Sequence, residues 1–397
     1  MSEKRVYMDY AATTYTRSEV LEEMLPYFTE EFGNPSSLYT FSDNTKKAIN
    51  IARERVAKAI NAEKDEIYFT GGGSEADNWA LKGIALAHRN KGNHIITTQI
   101  EHHAILHTAK FLEKNGFEIT YLPVDEEGFV KVEDLKNAIT EKTILVSVMF
   151  ANNEIGTIEP IKEIGEICRE KKILFHTDAV QAIGHVKVDV KDMNIDLLSL
   201  AGHKFYGPKG IGALYIRRGI KIENLIHGGG QERGKRASTE NIAGIVGIGK
   251  AIELATSELE EESQRLNNLR NKLVKGIMEK IPYTKLNGPS DNRRLPGNSD
   301  FSFIGIEGET LLLDLDFDGI YASTGSACAS ASLDPSHVLL AIGLPHETAH
   351  GSLRLTLGAK STEEDVDYVL EVLPEIIRKR REMSPLWEDF LKEKGER

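Results

Sequence analysis

From about residue 67 to 216, short β-branched runs alternate with helical patterns, and this alternation constrains the fold more than any other feature. The runs predict strands at Glu66–Thr70, His94–Thr98, Glu118–Leu122, Thr143–Phe150, Ile173–Thr177, Asp196–Leu200 and Ile211–Ile216. Between them the spacing of apolar residues predicts helices at Glu75–Arg89, His103–Lys114, Val132–Ala138 and Ile161–Lys171. Strands spaced by helices call for crossover connections, hence an α/β layered, mostly parallel sheet. In such sheets ligands collect beyond the carboxyl ends of strands.

After Gly249 the character changes. A long charged amphipathic helix is expected over Lys250 to Ile281, then a polar loop from Asn287 to Asp300. A strand at Ser299–Ile306, a helix near Glu309–Leu315, a short strand near Ile320–Ser323 and a helix from Thr362 to about Arg381 follow. This describes a second, smaller α+β domain, with which the N-terminal segment is expected to pack. The 397 residues suffice for two such cores.

The net charge of -12 argues against nucleic acid as a partner, since phosphate backbones need a basic face. The most apolar stretch, Ile242 to Ala255, is too short to span a bilayer and is broken by Lys250 and Glu253, so no membrane partner is expected. The N-terminus leads into strand-like sequence rather than an apolar signal core. Only two cysteines, Cys168 and Cys328, argue against a disulfide framework and for a reducing cytoplasm.

Several motifs fall at the expected strand ends. Thr70-Gly71-Gly72-Gly73-Ser74-Glu75-Ala76-Asp77 is a strand, a glycine run and a helix start. It suits an anion cradle, or an ordinary helix start with Asp77 in the capping-box position. Its spacing is neither a dinucleotide fingerprint nor a Walker loop. In Glu101-His102-His103-Ala104-Ile105-Leu106-His107, His102 at the strand end can stack on a planar ring, shuttle protons or cap a helix. His103 and His107 have helical spacing, but no glutamate lies between them and no cysteine is near, so no metal is expected. Asn152 and Asn153 suit a turn or ligand hydrogen bonds.

Ile173-Leu174-Phe175-His176-Thr177-Asp178 ends an apolar strand in a carboxylate that needs a partner, for which a protonated pyridine nitrogen serves well. Gln181 lies just beyond. One strand–helix–strand step later, Lys204 sits in Gly202-His203-Lys204-Phe205-Tyr206-Gly207, where a lysine amine can be held in a cleft to form a Schiff base with an aldehyde cofactor. Arg354 interrupts a strand pattern, as an arginine does for a dedicated carboxylate or for a structural ion pair. Cys168 has apolar neighbours and is expected in the core. Cys328 sits in Ser323-Thr324-Gly325-Ser326-Ala327-Cys328-Ala329-Ser330, a small, hydroxyl-rich loop open to reagents. The glycine-rich basic loop from His227 to Thr239 can close over phosphate or be a turn.

Together these motifs resemble the cysteine desulfurases of the NifS/IscS type, from Tyr7-Met8-Asp9-Tyr10-Ala11-Ala12-Thr13-Thr14 to Ser384-Pro385-Leu386-Trp387. Each motif alone is weak; their order and spacing are specific. The resemblance implies a fold-type-I enzyme dependent on pyridoxal 5'-phosphate, with a mostly parallel seven-stranded sheet, working as a homodimer with its sites at the interface. It implies a large domain over residues 16–255 and a small domain from 1–15 and 256–397 that carries the cysteine loop. Lys204 matches the Schiff-base lysine, Asp178 the partner of the ring nitrogen and His102 the ring-stacking histidine, which is also expected to take the substrate thiol proton. Gln181 and Asn153 match groups around the cofactor hydroxyl and substrate. Gly73, Ser74 and His203 match the phosphate site, and Thr239 a phosphate contact from the other subunit. Arg354 matches the clamp on the carboxylate of L-cysteine, and Cys328 the nucleophile that takes the sulfur. A sulfur-acceptor protein, such as an iron–sulfur scaffold, is implied as a further partner. The chain departs from the family pattern at Ala201, where a serine hydroxyl is common, and in a short tail after Trp387. A selenocysteine lyase or a related aminotransferase would share Lys204, Asp178 and Arg354.

Overall fold

The structure is a computed structural model that describes residues 4–325 and 335–395. The short strand β1 (Val6–Tyr7) comes first. Seven strands then form the central sheet: β2 (Ile67–Thr70), β3 (His94–Thr98), β4 (Glu118–Leu122), β5 (Thr143–Ser147), β6 (Leu174–Asp178), β7 (Leu197–Ala201) and β8 (Gly212–Ile216). Their order is β2-β8-β7-β6-β5-β3-β4. Only β8 runs against its neighbours, pairing antiparallel with β2 and β7.

Both faces of the sheet are covered, which is why its strands read as continuous apolar runs. Successive side chains point to opposite faces. Leu198 belongs to the same buried core as Val56, Ile248 and Ile252, from helices Asp43–Ala59 and Ile242–Ser257. Its neighbour Leu197 belongs to a second buried core, with Trp79, Ile84 and Ile105 from helices Gly73–His88 and His103–Lys114.

A further core lies outside this sheet. It joins Val6 and Met8 to Phe301, Phe303, Leu353 and Leu355 and to the long helices Leu259–Lys280 and Glu363–Glu382. Its strands are β9 (Thr284–Leu286), β10 (Asn298–Phe303), β11 (Ile320–Tyr321) and β12 (Ser352–Thr356). β10 is the middle strand between β12 and β9, both antiparallel to it, and β1 pairs parallel with β11. Val6 and Met8 at the start of the chain join this core, whereas Val20, Met24 and Tyr27 pack in the core of the central sheet.

Four local expectations are corrected. The helix expected over Lys250 to Ile281 is two helices, Ile242–Ser257 and Leu259–Lys280, parted at Glu258, whose backbone (φ -99°, ψ 0°) leaves the helical region. The helix expected from Glu75 begins at Gly73, and Asp77 makes no cap there; it is buried inside the helix. β10 stops at Phe303 and β11 at Tyr321, short of the expected ends. A helix Pro385–Lys394, capped by Ser384, continues the chain beyond Trp387.

The glycine-rich basic loop is held in an uncommon backbone shape. Glu232 (φ 46°) and Arg233 (φ 58°) occupy the left-handed region that non-glycine residues avoid. A buried ion pair, Arg53 Nη1 to Glu232 Oε2 at 2.7 Å, holds them. The same carboxylate accepts the Phe69 N–H at 2.9 Å, tying the loop to β2.

Candidate active site

A cavity of about 530 Å³ opens beyond the carboxyl ends of β2, β3, β5, β6 and β7. It brings together Lys204, Asp178, His102, Gln181, Asn153, Gly73, Ser74, His203 and Arg354. Ten of the eleven expected site residues lie among those described, and nine of the ten line this one space. Thr239 is exposed and lies outside it. Cys328 lies outside the described residues.

Lys204 ends the short turn Gly202–Lys204 that follows β7. Its Nζ donates to the carbonyls of Ala11, at 2.5 Å, and Ala12, at 2.8 Å. The N-terminal segment therefore forms one wall of the cavity and aims the amine. Gln181 reinforces that wall, its Nε2 donating to Ala11 O at 2.9 Å. Lys209, the neighbouring lysine, points instead to Thr14 O at 3.2 Å.

Asp178 closes β6, and its Oδ1 accepts the Val180 N–H at 2.9 Å. Burial pushes its carboxyl up to about 6, with that N–H and the Lys204 charge pulling the other way. Behind it lies Asp77, held well above the usual carboxylate range by burial and then by the Asp178 charge. His176 sits 3.8 Å from Asp77, and burial lowers it to about 3.

His102 caps the helix His103–Lys114, its Nδ1 accepting the Ala104 N–H at 3.1 Å. That bond commits the Nδ1 lone pair and places the ring proton on Nε2. Burial, and after it the Lys204 charge, lowers the ring's pKa. Neutral His102 so arranged has a proton to give and no free lone pair with which to take one.

Gly73 and Ser74 line the cavity and begin their helix there, and a helix start favours anions. A Cβ there would meet Val180 Cγ2 at 2.8 Å and Ala201 Cβ at 3.4 Å, so glycine permits the close approach. Ala201 faces the cradle without a hydroxyl. His203 lies across from it, its Nδ1 3.0 Å from Thr13 Oγ1. Burial, with the Lys204 and Lys209 charges, lowers His203 to about 4, leaving a neutral ring.

Arg354 lies in β12 with its side chain almost wholly buried. Nη2 pairs with Asp9 Oδ1 at 2.9 Å, and Nη1 donates to Asn153 O at 3.2 Å. Its Nε is buried with no hydrogen bond. A buried donor left unmade costs about 1–3 kcal/mol.

Three buried acids at the cavity, Asp77, Glu101 and Glu154, escaped the sequence reading. For Asp77 a signal existed: Ala80, Leu81 and Ile84 follow it at helical spacing, which puts it on the apolar face.

The residues fit pyridoxal phosphate. A buried carboxylate suits a ring nitrogen, a helix start with Ser74 and neutral His203 suits a phosphate, and an aimed amine suits the aldehyde.

Comparisons with known proteins agree. The class-V aminotransferase family model matches residues 6–369. Cysteine desulfurase IscS of Clostridium botulinum (strain Hall) is 78% identical over 395 residues, covering 99% of this chain and 100% of that protein. Cysteine desulfurase IscS of Methanosarcina thermophila is 64% identical over 383 residues, 96% of this chain and 94% of that one. Among solved structures, a NifS-like protein superposes with a TM-score of 0.89 at 42% identity, covering 94% of this chain and 100% of its own. SspA in complex with cysteine gives a TM-score of 0.79 at 38% identity over 89% of this chain and 98% of its own. The chain belongs to the cysteine desulfurases, pyridoxal phosphate-dependent enzymes of the class-V aminotransferase family.

Proposed function

We propose that this protein converts L-cysteine to L-alanine, leaves the sulfur as a persulfide on Cys328 and passes it to an acceptor protein such as an iron–sulfur scaffold. The observation that carries this reading is the convergence of Lys204, Asp178 and Arg354 on one cavity.

Pyridoxal phosphate, when bound, supplies an aldehyde for the substrate amine and a ring that accepts the electron pair left at Cα. Asp178 as a carboxylate favours a proton on the ring nitrogen. Gly73, Ser74 and His203 hold the phosphate. Arg354, which lines the cavity, takes the substrate carboxylate, and Asp9 and Asn153 hold the guanidinium in place. Lys204 takes the Cα proton. His102, with its proton on Nε2, is placed to donate. The Cys328 thiolate attacks the substrate sulfur as the C–S bond breaks. One thiol and one cysteine thus become one persulfide and one alanine, with no outside oxidant.

The working unit is a homodimer, in which Thr239 of each chain contacts the partner's phosphate site. Its exposure outside its own cavity, on a loop pinned by Arg53 and Glu232, supports this. The two-domain division at 16–255 and at 1–15 with 256–397 is supported by the separate core around Met8 and Phe301. The cytoplasm suits a chain whose Cys168 is a free thiol. No described helix is long and apolar enough to cross a membrane.

The test is to mix purified enzyme with cysteine and a thiol reductant, and to count alanine and sulfide. Equal amounts are expected. Alanine formation that depends on an added keto acid would overturn the reading in favour of a transaminase.

A further inference from the structure

Glu154 is 5% exposed and lines the active-site cavity, yet none of the steps above uses it. Its backbone is fixed twice. The N–H donates to Asn152 Oδ1 at 2.8 Å, and the carbonyl accepts from Asn298 Nδ2 at 3.0 Å. Its side chain reaches toward the chain on either side of Cys328. Oε2 accepts a short hydrogen bond from Ser336 Oγ. The same oxygen lies 2.6 Å from where a Cβ on Gly325 would sit, so the Gly325 backbone rests against the carboxyl and a side chain there would displace it.

Ser336 is itself committed. Its Oγ caps the helix His337–Ala341, accepting from Val338 N at 3.1 Å and Leu339 N at 3.4 Å. One buried carboxyl therefore touches Gly325, three residues before Cys328, and Ser336, eight residues after it. Its own backbone continues from Asn153, whose carbonyl holds Arg354. Burying a carboxyl group is costly, and stability alone would be served as well by an apolar side chain.

We propose that Glu154 is a positioning residue for sulfur transfer, which holds Gly325 and Ser336 in register with the substrate clamp at Arg354. The inference rests on Cys328 as the sulfur acceptor. It concerns only the step in which sulfur leaves the substrate; binding of cysteine and removal of the Cα proton use other groups.

The test uses holoenzyme and reads two signals in a single turnover: the cofactor absorbance change on adding cysteine, and persulfide on Cys328 by mass spectrometry of quenched samples. In Glu154→Ala the absorbance change should keep its rate and amplitude, while persulfide forms on the order of 10–100-fold more slowly, the scale of a small misplacement of reacting groups. Glu154→Gln keeps an oxygen that accepts from Ser336 and should recover most of the loss. Ser336→Ala should slow the same step, and its effect should not multiply with that of Glu154→Ala, because both break one contact. Persulfide formation at the wild-type rate in Glu154→Ala would overturn the inference, as would equal slowing of both signals or multiplying effects in the double variant. Ser336→Ala and Glu154→Gln keep the test decisive if the alanine variant does not fold. Sulfur found on a residue other than Cys328 in the unaltered enzyme would instead overturn the proposed function, so the two failures are distinct.

Discussion

Lys204 and Asp178 face opposite ends of the chemistry, the aldehyde and the ring nitrogen, and their surroundings prepare each. The amine is aimed by two carbonyls of the N-terminal segment. Lys204→Ala should lower alanine formation by about 10²–10⁴-fold, the usual contribution of a positioned acid–base group, as measured by alanine release. Asp178 is raised to about 6 by burial, so it becomes neutral as the pH falls through 6 and can no longer favour a protonated ring nitrogen. Cofactor affinity of the cofactor-free protein should therefore weaken below pH 6, in a titration followed by absorbance; constant affinity from pH 5 to 8 would contradict this. Ala201 faces the phosphate cradle without a hydroxyl. Ala201→Ser should tighten the cofactor by up to the roughly 1.5–3 kcal/mol of a charge-assisted hydrogen bond, read as slower loss on dialysis. Cys168 is buried and its thiol pushed up to about 12, so it should stay unlabelled by alkylating reagents until the chain unfolds.

At the scale of elements, the glycine that starts the helix Gly73–His88 shows how packing and chemistry meet. Gly73→Ala would push a methyl into Val180, costing about 1–3 kcal/mol as overpacking and loosening the phosphate site. A lowered melting temperature with weaker cofactor retention is expected, by calorimetry and absorbance. The central strands were legible because burial on both faces makes them continuous apolar runs; eight cavity residues were legible because they end or follow strands, and Arg354 because it interrupts one. The break at Glu258 was not, since the polar helix Leu259–Lys280 continues the same periodicity. The helix Pro385–Lys394 was marked in the sequence by Ser384 and Pro385, a cap and first-turn pair. The shape of the loop at Glu232 was hidden, because it depends on a charge from Arg53, 179 residues away.

Across the whole molecule, buried acids make stability depend on pH in an uncommon direction. Burial raises Glu154 and Glu159 to about 8 and Asp300 to about 7. A carboxyl raised on folding binds its proton more tightly in the folded chain, so stability falls as pH rises through that value. The buried neutral His176 acts oppositely, but only below its unfolded value of 6.5. The melting temperature of the cofactor-free protein should thus fall between pH 6.5 and 8.5, each acid contributing on the order of 1.4 kcal/mol per pH unit over which it stays protonated; a rise across that interval would contradict the assignment. The central claim is that one cavity, assembled from strands far apart in sequence, passes sulfur from cysteine to Cys328. The most direct measurement is a single turnover of holoenzyme with cysteine, counting alanine and locating the added sulfur by mass spectrometry. The account predicts one alanine for each chain that gains one sulfur atom, on the peptide containing Cys328. Alanine formed while Cys328 stays unmodified, or sulfur located on Cys168, would contradict it.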